Sequence, residues 1–454
     1  MPVPLLPTVC LPLCLPSCPP QDAAVVLATY VVAGRPAVAT AGDVAIEIAH
    51  HLRRRDRGPQ AIEQLVASHL TREIARRRNL LPTEAEVRAF WRELQDQLRA
   101  AGRRPEEFAA VRNTSEAQWL ADLAVQMAQE RIVRAELGLS PKDRVSGDML
   151  ELWLKETRRQ ARVVDDPDQL PAGVAVRVDG VDVPMLELGL LLLRTAEDDE
   201  RERFVRQVVY LHVLEATARE AGVRLTDADL DAAVRKRRDE VARDERYRGV
   251  TFEGMLQAQG LSVAALRELR TFRAQVLLDR LAAVRFPTPA LAAELVADRQ
   301  RVLDRVGPRR RLGVLFLRSL AEPNALVPRS HDEARRQLEA ARERLGRESW
   351  DDVVRSLSDH SGSKLSGGDI GWHTRASTRL PEALLAAAFA LPLDAVSSPL
   401  CADDGCYLVK VLDIDAEPTD DELLARWREW KAQELSQRLL DDAQIEFVKP
   451  EARR

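Results

Sequence analysis

The sequence predicts an α+β protein with two repeated, mainly α-helical modules, then a small antiparallel-sheet α+β domain, then a C-terminal helix. Three observations lead there. Residues 62–90 align without a gap onto residues 205–233, at a constant offset of 143 (205 minus 62). Residues 312–411 set β-rich runs at either end of helical runs and a Gly-Gly-Asp turn. Residues 419–442 follow Pro418 as one long helical stretch, with Thr419 placed to cap it.

Bulk properties bound the problem. At 454 residues the chain is too long for one ordinary core, so roughly two to four domains are expected. The net charge is −5, and the 31% of charged residues interleave both signs. That gives no basic face for nucleic acid and no acidic tail. Aromatic residues make up only 4%, which fits helices packed on Leu, Ala and Val.

Residues 1–20 are apolar, interrupted by prolines and free of Lys and Arg. They are too short and too broken to span a membrane. They resemble the apolar core of a secretory signal that lacks its basic start. Leu15-Pro16-Ser17-Cys18 resembles a bacterial lipoprotein box, in which Cys18 would carry the lipid and anchor the chain to a membrane. Two readings stand. Residues 1–22 are a signal or lipoprotein-like leader, which places the protein in the periplasm or cell envelope, or they are a disordered leader on a cytoplasmic protein. No other segment approaches eighteen consecutive apolar residues, so no transmembrane helix is expected.

The repeat defines the next two segments, module 1 at 23–140 and module 2 at 176–305. Gln64 matches Gln207, Val66 Val209, His69 His212, Ala75 Ala218, Arg76 Arg219, Thr83 Thr226, Ala85 Ala228 and Ala89 Ala232. Each copy opens with a turn-bearing β pair, at 30–34 and 176–180, and continues with a helix. Thr83 and Thr226 fit N-caps, with Glu86 and Asp229 in the capping-box position. Phe108 and Phe252 each begin another helix pair. His69 and His212 fall on apolar helical faces and read as core. Residues 141–175, with the acidic, proline-bearing stretch 165–171, read as a linker. The pattern resembles the N-terminal helical domain of SurA/PrsA-type foldases, most closely in Leu225-Thr226-Asp227-Ala228-Asp229-Leu230-Asp231 and in 251–260. The resemblance implies a cradle for unfolded polypeptides. It also implies that the terminal helix and short strand, 417–454, pack back onto the N-terminal domain, with Trp427 and Trp430 as anchors.

The segment 306–416 is the most informative. Residues 312–317 read as a central strand and 333–345 as a helix capped by Asp332. Gly367-Gly368-Asp369 is a turn that needs positive φ. Pro381-Glu382 opens a helix with an apolar stripe at Leu384, Leu385, Ala388, Phe389 and Leu391, and residues 407–411 close the sheet. The ordered set Ser358-Asp359-His360-Ser361-Gly362-Ser363, Gly367-Gly368-Asp369-Ile370-Gly371-Trp372, the 384–391 helix, Val396-Ser397-Ser398-Pro399-Leu400 and Gly405-Cys406-Tyr407-Leu408-Val409-Lys410-Val411 resembles the parvulin-type peptidyl-prolyl isomerases.

That resemblance implies a proline pocket at Leu380, Leu384 and Phe389, and a polar cluster at His360 and Tyr407. The family's two histidines fall on Val314 and Tyr407, so both are absent. The implied activity is a weak or specialised peptidyl-prolyl cis-trans isomerase. The alternative is a non-catalytic peptide-binding or assembly scaffold. Isomerisation needs no metal or covalent intermediate, so no cofactor is expected. A zinc set drawn from His360, His373, Cys401 and Cys406 matches no ligand spacing. Whether Cys401 and Cys406 pair across a hairpin is left open, because spacing alone does not fix geometry.

Overall fold

The computed structural model describes residues 20–54, 56–104, 116–140, 143–171, 173–243, 247–259, 261–378 and 380–448. Cys18, most of the 1–22 leader and Phe108 lie outside these residues. The chain divides into two compact units. One comprises Met1–Leu278 with Ser436–Arg454, the other Asp279–Leu435. Among the described residues no helix is long and apolar enough to cross a membrane.

The first unit contains both copies of the repeat, in the same element order. Copy one runs β1 (Val26–Val32), β2 (Arg35–Thr40), α1 (Ala41–Leu52), α2 (Gly58–Arg77), α3 (Glu84–Ala100) and α4 (Glu116–Glu136). After β3 (Val163–Val164), copy two runs β4 (Val174–Val178), β5 (Val181–Pro184), α6 (Met185–Arg194), α7 (Asp198–Glu220) and α8 (Asp227–Arg243). It continues through α9 (Phe252–Ala258), α10 (Val263–Glu268) and α11 (Arg270–Arg285). Both hairpins turn through two left-handed residues, Ala33-Gly34 and Asp179-Gly180. Both expected capping boxes close. Glu86 and Thr83 exchange bonds at the start of α3, as Asp229 and Thr226 do before α8.

The two copies are packed into each other. Helix α1 lies on α6 and on α7, while α2 lies on α6. Strand β1 meets α7, and β4 meets α2. Each contact has its counterpart with the copies exchanged, as in an interface around a two-fold axis. Ala45 and Gly189 are each the fifth residue of their helix, and they meet at the crossing. A Cβ on Gly189 would lie 1.8 Å from the Ala45 carbonyl oxygen. Tyr30 Oη and His212 Nδ1 are 2.7 Å apart across the same interface, so His212 is a packed residue as expected.

The sheets are also shared. One has the order β10-β1-β2 and the other β3-β4-β5. Strand β10 (Glu446–Phe447) comes from the end of the chain and pairs antiparallel with β1. The expected return of the tail to the N-terminal module is therefore made by strand pairing. Residues 141–175 correct the sequence reading, because they are not a bare linker. Ser146 caps a helix, α5 (Gly147–Gln160), whose Trp153 packs with Ala75, Ala128, Ile132 and Val133. This segment also supplies β3.

The second unit holds α12 (Thr288–Ala297), α13 (Arg299–Val306) and a four-stranded antiparallel sheet. The strands are β6 (Arg310–Arg318), β7 (Asp369–His373), β8 (Leu400–Ala402) and β9 (Gly405–Ile414), in the order β7-β6-β9-β8. Strand β6 is central, as the sequence indicates. Alternation sends Leu312, Val314 and Phe316 to one face, against α16 (Glu382–Ala390). Leu315 and Leu317 face α14 (His331–Arg344) and α15 (Trp350–Leu357) on the other. Helix α14 is capped by Ser330 through a capping box with Glu333, and not by Asp332. Gly367 and Gly368 adopt φ of 65° and 76°. A Cβ at Gly368 would meet the Val314 carbonyl oxygen at 2.3 Å, so the loop needs glycine to reach the central strand.

Helix α17 (Asp420–Asp442) starts at the Thr419–Glu422 capping box. Trp427 and Trp430 stack at 4.7 Å and pack with Leu291, Leu295, Val302 and Val306. They anchor α17 to α12 and α13 within the second unit, which corrects the expectation that they dock the tail on the N-terminal module.

Candidate functional site

Phe316, near the end of the central strand, organises the site. Its amide donates to Ser358 Oγ (3.3 Å), and its carbonyl accepts from the Asp359 amide (2.8 Å). The Ser358–Ser363 loop is thereby tied to the sheet. On the other side Phe316 faces Tyr407 of β9 as its register partner, with ring centroids 4.7 Å apart and planes at 37°.

The two residues expected in the polar cluster have separate partners. Tyr407 is buried, and its hydroxyl donates to Asp404 Oδ2 at 2.5 Å. Burial, and then the hydrogen bond and charge of Asp404, raise the phenol's pKa. The group is therefore a fixed neutral donor and not a base. His360 is exposed on the loop, with Nδ1 2.7 Å from Ser363 Oγ. Asp359 Oδ2 accepts from Arg329 (2.6 Å) and from the Arg318 amide (3.0 Å), which fixes the loop beside His360. Val314, in the family's histidine position, is 3% exposed and wholly apolar in its surroundings.

Leu380, Leu384 and Phe389 share one apolar cluster with Val314, Phe316 and Tyr407. Leu384 is 1% and Phe389 8% exposed, whereas Leu380 is half-buried. The Phe389 ring lies between two guanidinium groups, Arg310 at 5.3 Å and Arg375 at 4.9 Å. Arg310 also donates to the carbonyls of Ala388 and Leu391 at the end of α16. Residue-pattern reasoning missed Phe316, Asp404, Arg310 and Arg375. Phe316 was detectable as the third same-face residue of the strand, and Asp404 as part of the Asp403-Asp404-Gly405 turn. The two arginines become ring partners only through tertiary packing.

Cys401 and Cys406 form a disulfide between directly opposed positions of β8 and β9. Bonded to each other, they are not available to a zinc set with His360 and His373. His373 is buried, with Nε2 3.1 Å from the Ile370 carbonyl.

An antiparallel sheet with a helix on each face, a glycine-dependent loop on the central strand and an apolar cluster beneath it define a parvulin-class domain. Residues 319–413 match the Rotamase family model, described as the PPIC-type PPIASE domain. The chain is 29% identical over 217 residues to the Chaperone SurA of Alkalilimnicola ehrlichii, covering 47% of this chain and 46% of that one. It is 37% identical over 86 residues to the Chaperone SurA of Photobacterium profundum, covering 18% and 19%. The chain thus spans about half the length of the first relative and less of the second. The first alignment is longer than the 319–413 segment, so the likeness extends beyond the isomerase domain. A crystal structure of foldase protein PrsA from Streptococcus pneumoniae aligns at 21% identity and TM-score 0.27, covering 56% of this chain and 88% of that one. This chain carries a parvulin-type, PPIC-class peptidyl-prolyl isomerase domain at 319–413, and over 217 residues it is similar to a protein named Chaperone SurA.

Proposed function

We propose that the protein is an exported foldase or chaperone of the cell envelope. Its PPIC-type domain would bind proline-containing segments of unfolded polypeptides and isomerise them slowly. The match of 319–413 to the isomerase family carries this reading. The SurA relatives, named as chaperones, support the polypeptide client class. In the proposed organisation, 23–140 and 176–305 are the chaperone modules and 306–416 the isomerase domain. Cys18 is the proposed lipidation site if the leader anchors the protein.

The chemistry asked of the site is modest. Rotation about the amide meets a barrier of roughly 18–20 kcal/mol, and an X–Pro bond left alone takes on the order of tens to hundreds of seconds. A catalyst holds the ring in an apolar seat and favours the twisted amide over the planar one. Leu380, Leu384 and Phe389 are the proposed seat. The Tyr407 hydroxyl and the His360 ring are the proposed polar groups beside the carbonyl. Turnover is slow in this reading because Val314 offers no polar group and Tyr407 already donates to Asp404. The near-complete burial of Leu384 favours a second reading, a scaffold that docks peptides on a parvulin fold without turnover.

An isomerase assay on X–Pro peptides with the full chain tests this. Wild type should show turnover well below that of ordinary parvulins. His360→Ala and Tyr407→Phe should each reduce it further while circular dichroism stays unchanged. Robust turnover indifferent to both substitutions would overturn the residue assignment. Peptide binding without turnover would establish the scaffold.

A further inference from the structure

On the sheet face opposite the proline seat, the Cys401–Cys406 disulfide is surrounded by groups suited to opening it. The Cys401 sulfur belongs to a half-buried residue and lies 3.9 Å from Arg335 Nη2. Cys406 is fully buried, with its sulfur 3.6 Å from Ser319 Oγ. Ser319 is itself buried, and its Oγ is 2.9 Å from His331 Nδ1. The reactive atoms of His331, Cys401 and Cys406 lie within 4.8 Å of one another. His331 is the first residue of α14, so the helix's positive end faces the same spot. One sulfur is reachable and faces a cation. The other is buried and hydrogen-bonded to a hydroxyl that is in turn bonded to an imidazole.

We propose that Cys401–Cys406 is a redox-active centre that exchanges with a protein dithiol, with Ser319 and His331 relaying a proton to the departing sulfur. A thiolate of the external dithiol attacks the Cys401 sulfur. The S–S bond breaks, a mixed disulfide forms on Cys401, and the electron pair leaves on Cys406 Sγ. The Ser319 hydroxyl proton passes to that sulfur and is replaced from His331 Nδ1, in the tautomer that carries its proton there, while water gives a proton to Nε2, so that the ring stays neutral and hydroxide leaves to solvent. The new Cys406 thiol can then donate to the His331 carbonyl oxygen, 3.6 Å away. The second thiolate of the dithiol attacks the mixed disulfide and releases the Cys401 thiolate beside Arg335, which stabilises it. Two electrons have moved from the dithiol, which leaves as a disulfide, to the cysteine pair. The dithiol has given its protons to solvent, and one solvent proton, relayed through His331 and Ser319, ends on Cys406 while Cys401 remains a thiolate. Leu400 and Tyr407 are register partners one residue from the two cysteines, so the opened hairpin would loosen the strand that carries Tyr407.

The test uses the full chain with Cys10→Ser, Cys14→Ser and Cys18→Ser, leaving only this pair. Dithiothreitol is added in native buffer, the reaction is quenched by alkylation, and mass spectrometry follows the alkylated pair over time. The pair should open while circular dichroism remains native. Ser319→Ala and His331→Ala should slow opening by about tenfold or more, as loss of a positioned proton donor does. At a fixed thiolate fraction of the reagent, the wild-type reaction should be slower in D2O than in H2O, and this isotope effect should vanish in His331→Ala. His331 is half-exposed, so its variant carries the test even if buried Ser319 does not tolerate replacement. Alkylation only after denaturant, or an unchanged rate and isotope effect in His331→Ala, would overturn the proposal and leave the bond a structural staple.

Discussion

A buried glutamate, Glu47, and a half-buried one, Glu187, give the first unit a pH response. Burial pushes Glu187 up to about 7, against the pull of Arg72. Glu47 is raised by burial too, although Arg270 and a hydrogen bond from Gln207 oppose the shift. A carboxyl whose folded pKa exceeds its unfolded one takes up a proton on folding. Its stabilising contribution is complete below the unfolded value and is lost as pH rises through the folded value. For Glu187 that window runs from 4.5 to about 7. Urea midpoints measured on either side of it should therefore fall with rising pH in wild type, and fall less in Glu187→Gln. An identical fall in both proteins would mean that Glu187 is ionised freely in the fold. None of this is visible in sequence, because the partners lie on other helices. The same limit applies at the proposed isomerase site. Leu380, Leu384, Phe389, His360 and Tyr407 are placed by motif order, whereas the Tyr407–Asp404 bond and the arginines on Phe389 come from packing.

At the scale of elements, the crossing of α1 and α6 is the most constrained contact. A methyl group at Gly189 would meet backbone, not a flexible side chain, 1.8 Å away. Gly189→Ala should therefore destabilise the protein, by about 1–3 kcal/mol for overpacking, despite alanine's better helix propensity. Thermal denaturation measures it, and a variant as stable as wild type would show that the helices separate at no cost. Elements whose signals are local were legible. The Thr83, Thr226 and Thr419 caps are set within four residues, and the hairpin turns by two. Ser330 and Asp332 are both capping residues close to the start of α14, and only the side-chain bond to the Glu333 amide shows that Ser330 is the cap. Helix α5 has a short apolar stripe of Leu150, Trp153 and Leu154, but it lies next to the acidic, proline-bearing stretch 165–171 that reads as a linker.

At the scale of the whole chain, the repeat was legible as a duplication but its interlocking was not. The short terminal strand and its return to the N-terminal domain are legible, though not its pairing with β1, whereas β3, with two residues, carries no pattern to show that it completes the sheet of copy two. Between α11 and α17 the chain carries the isomerase domain, whereas between α4 and α5 it has only residues 137–146. Because the copies hold each other through α1, α2, α6 and α7, a protease site placed at 165–171 should, once cut, leave one native species on gel filtration. Separation of the pieces without denaturant would show that the interface depends on the covalent connection.

The shared sheet also imposes an order of events on synthesis. The ribosome makes Val26–Val32 some four hundred residues before Glu446–Phe447, the strand that completes their sheet. At about 5–20 residues per second, β1 waits roughly 20 to 80 s for that partner, with one edge unpaired and prone to wrong pairing meanwhile. The isomerase sheet is complete at Ile414. The PPIC-type domain can therefore fold before the N-terminal sheet of its own chain is closed.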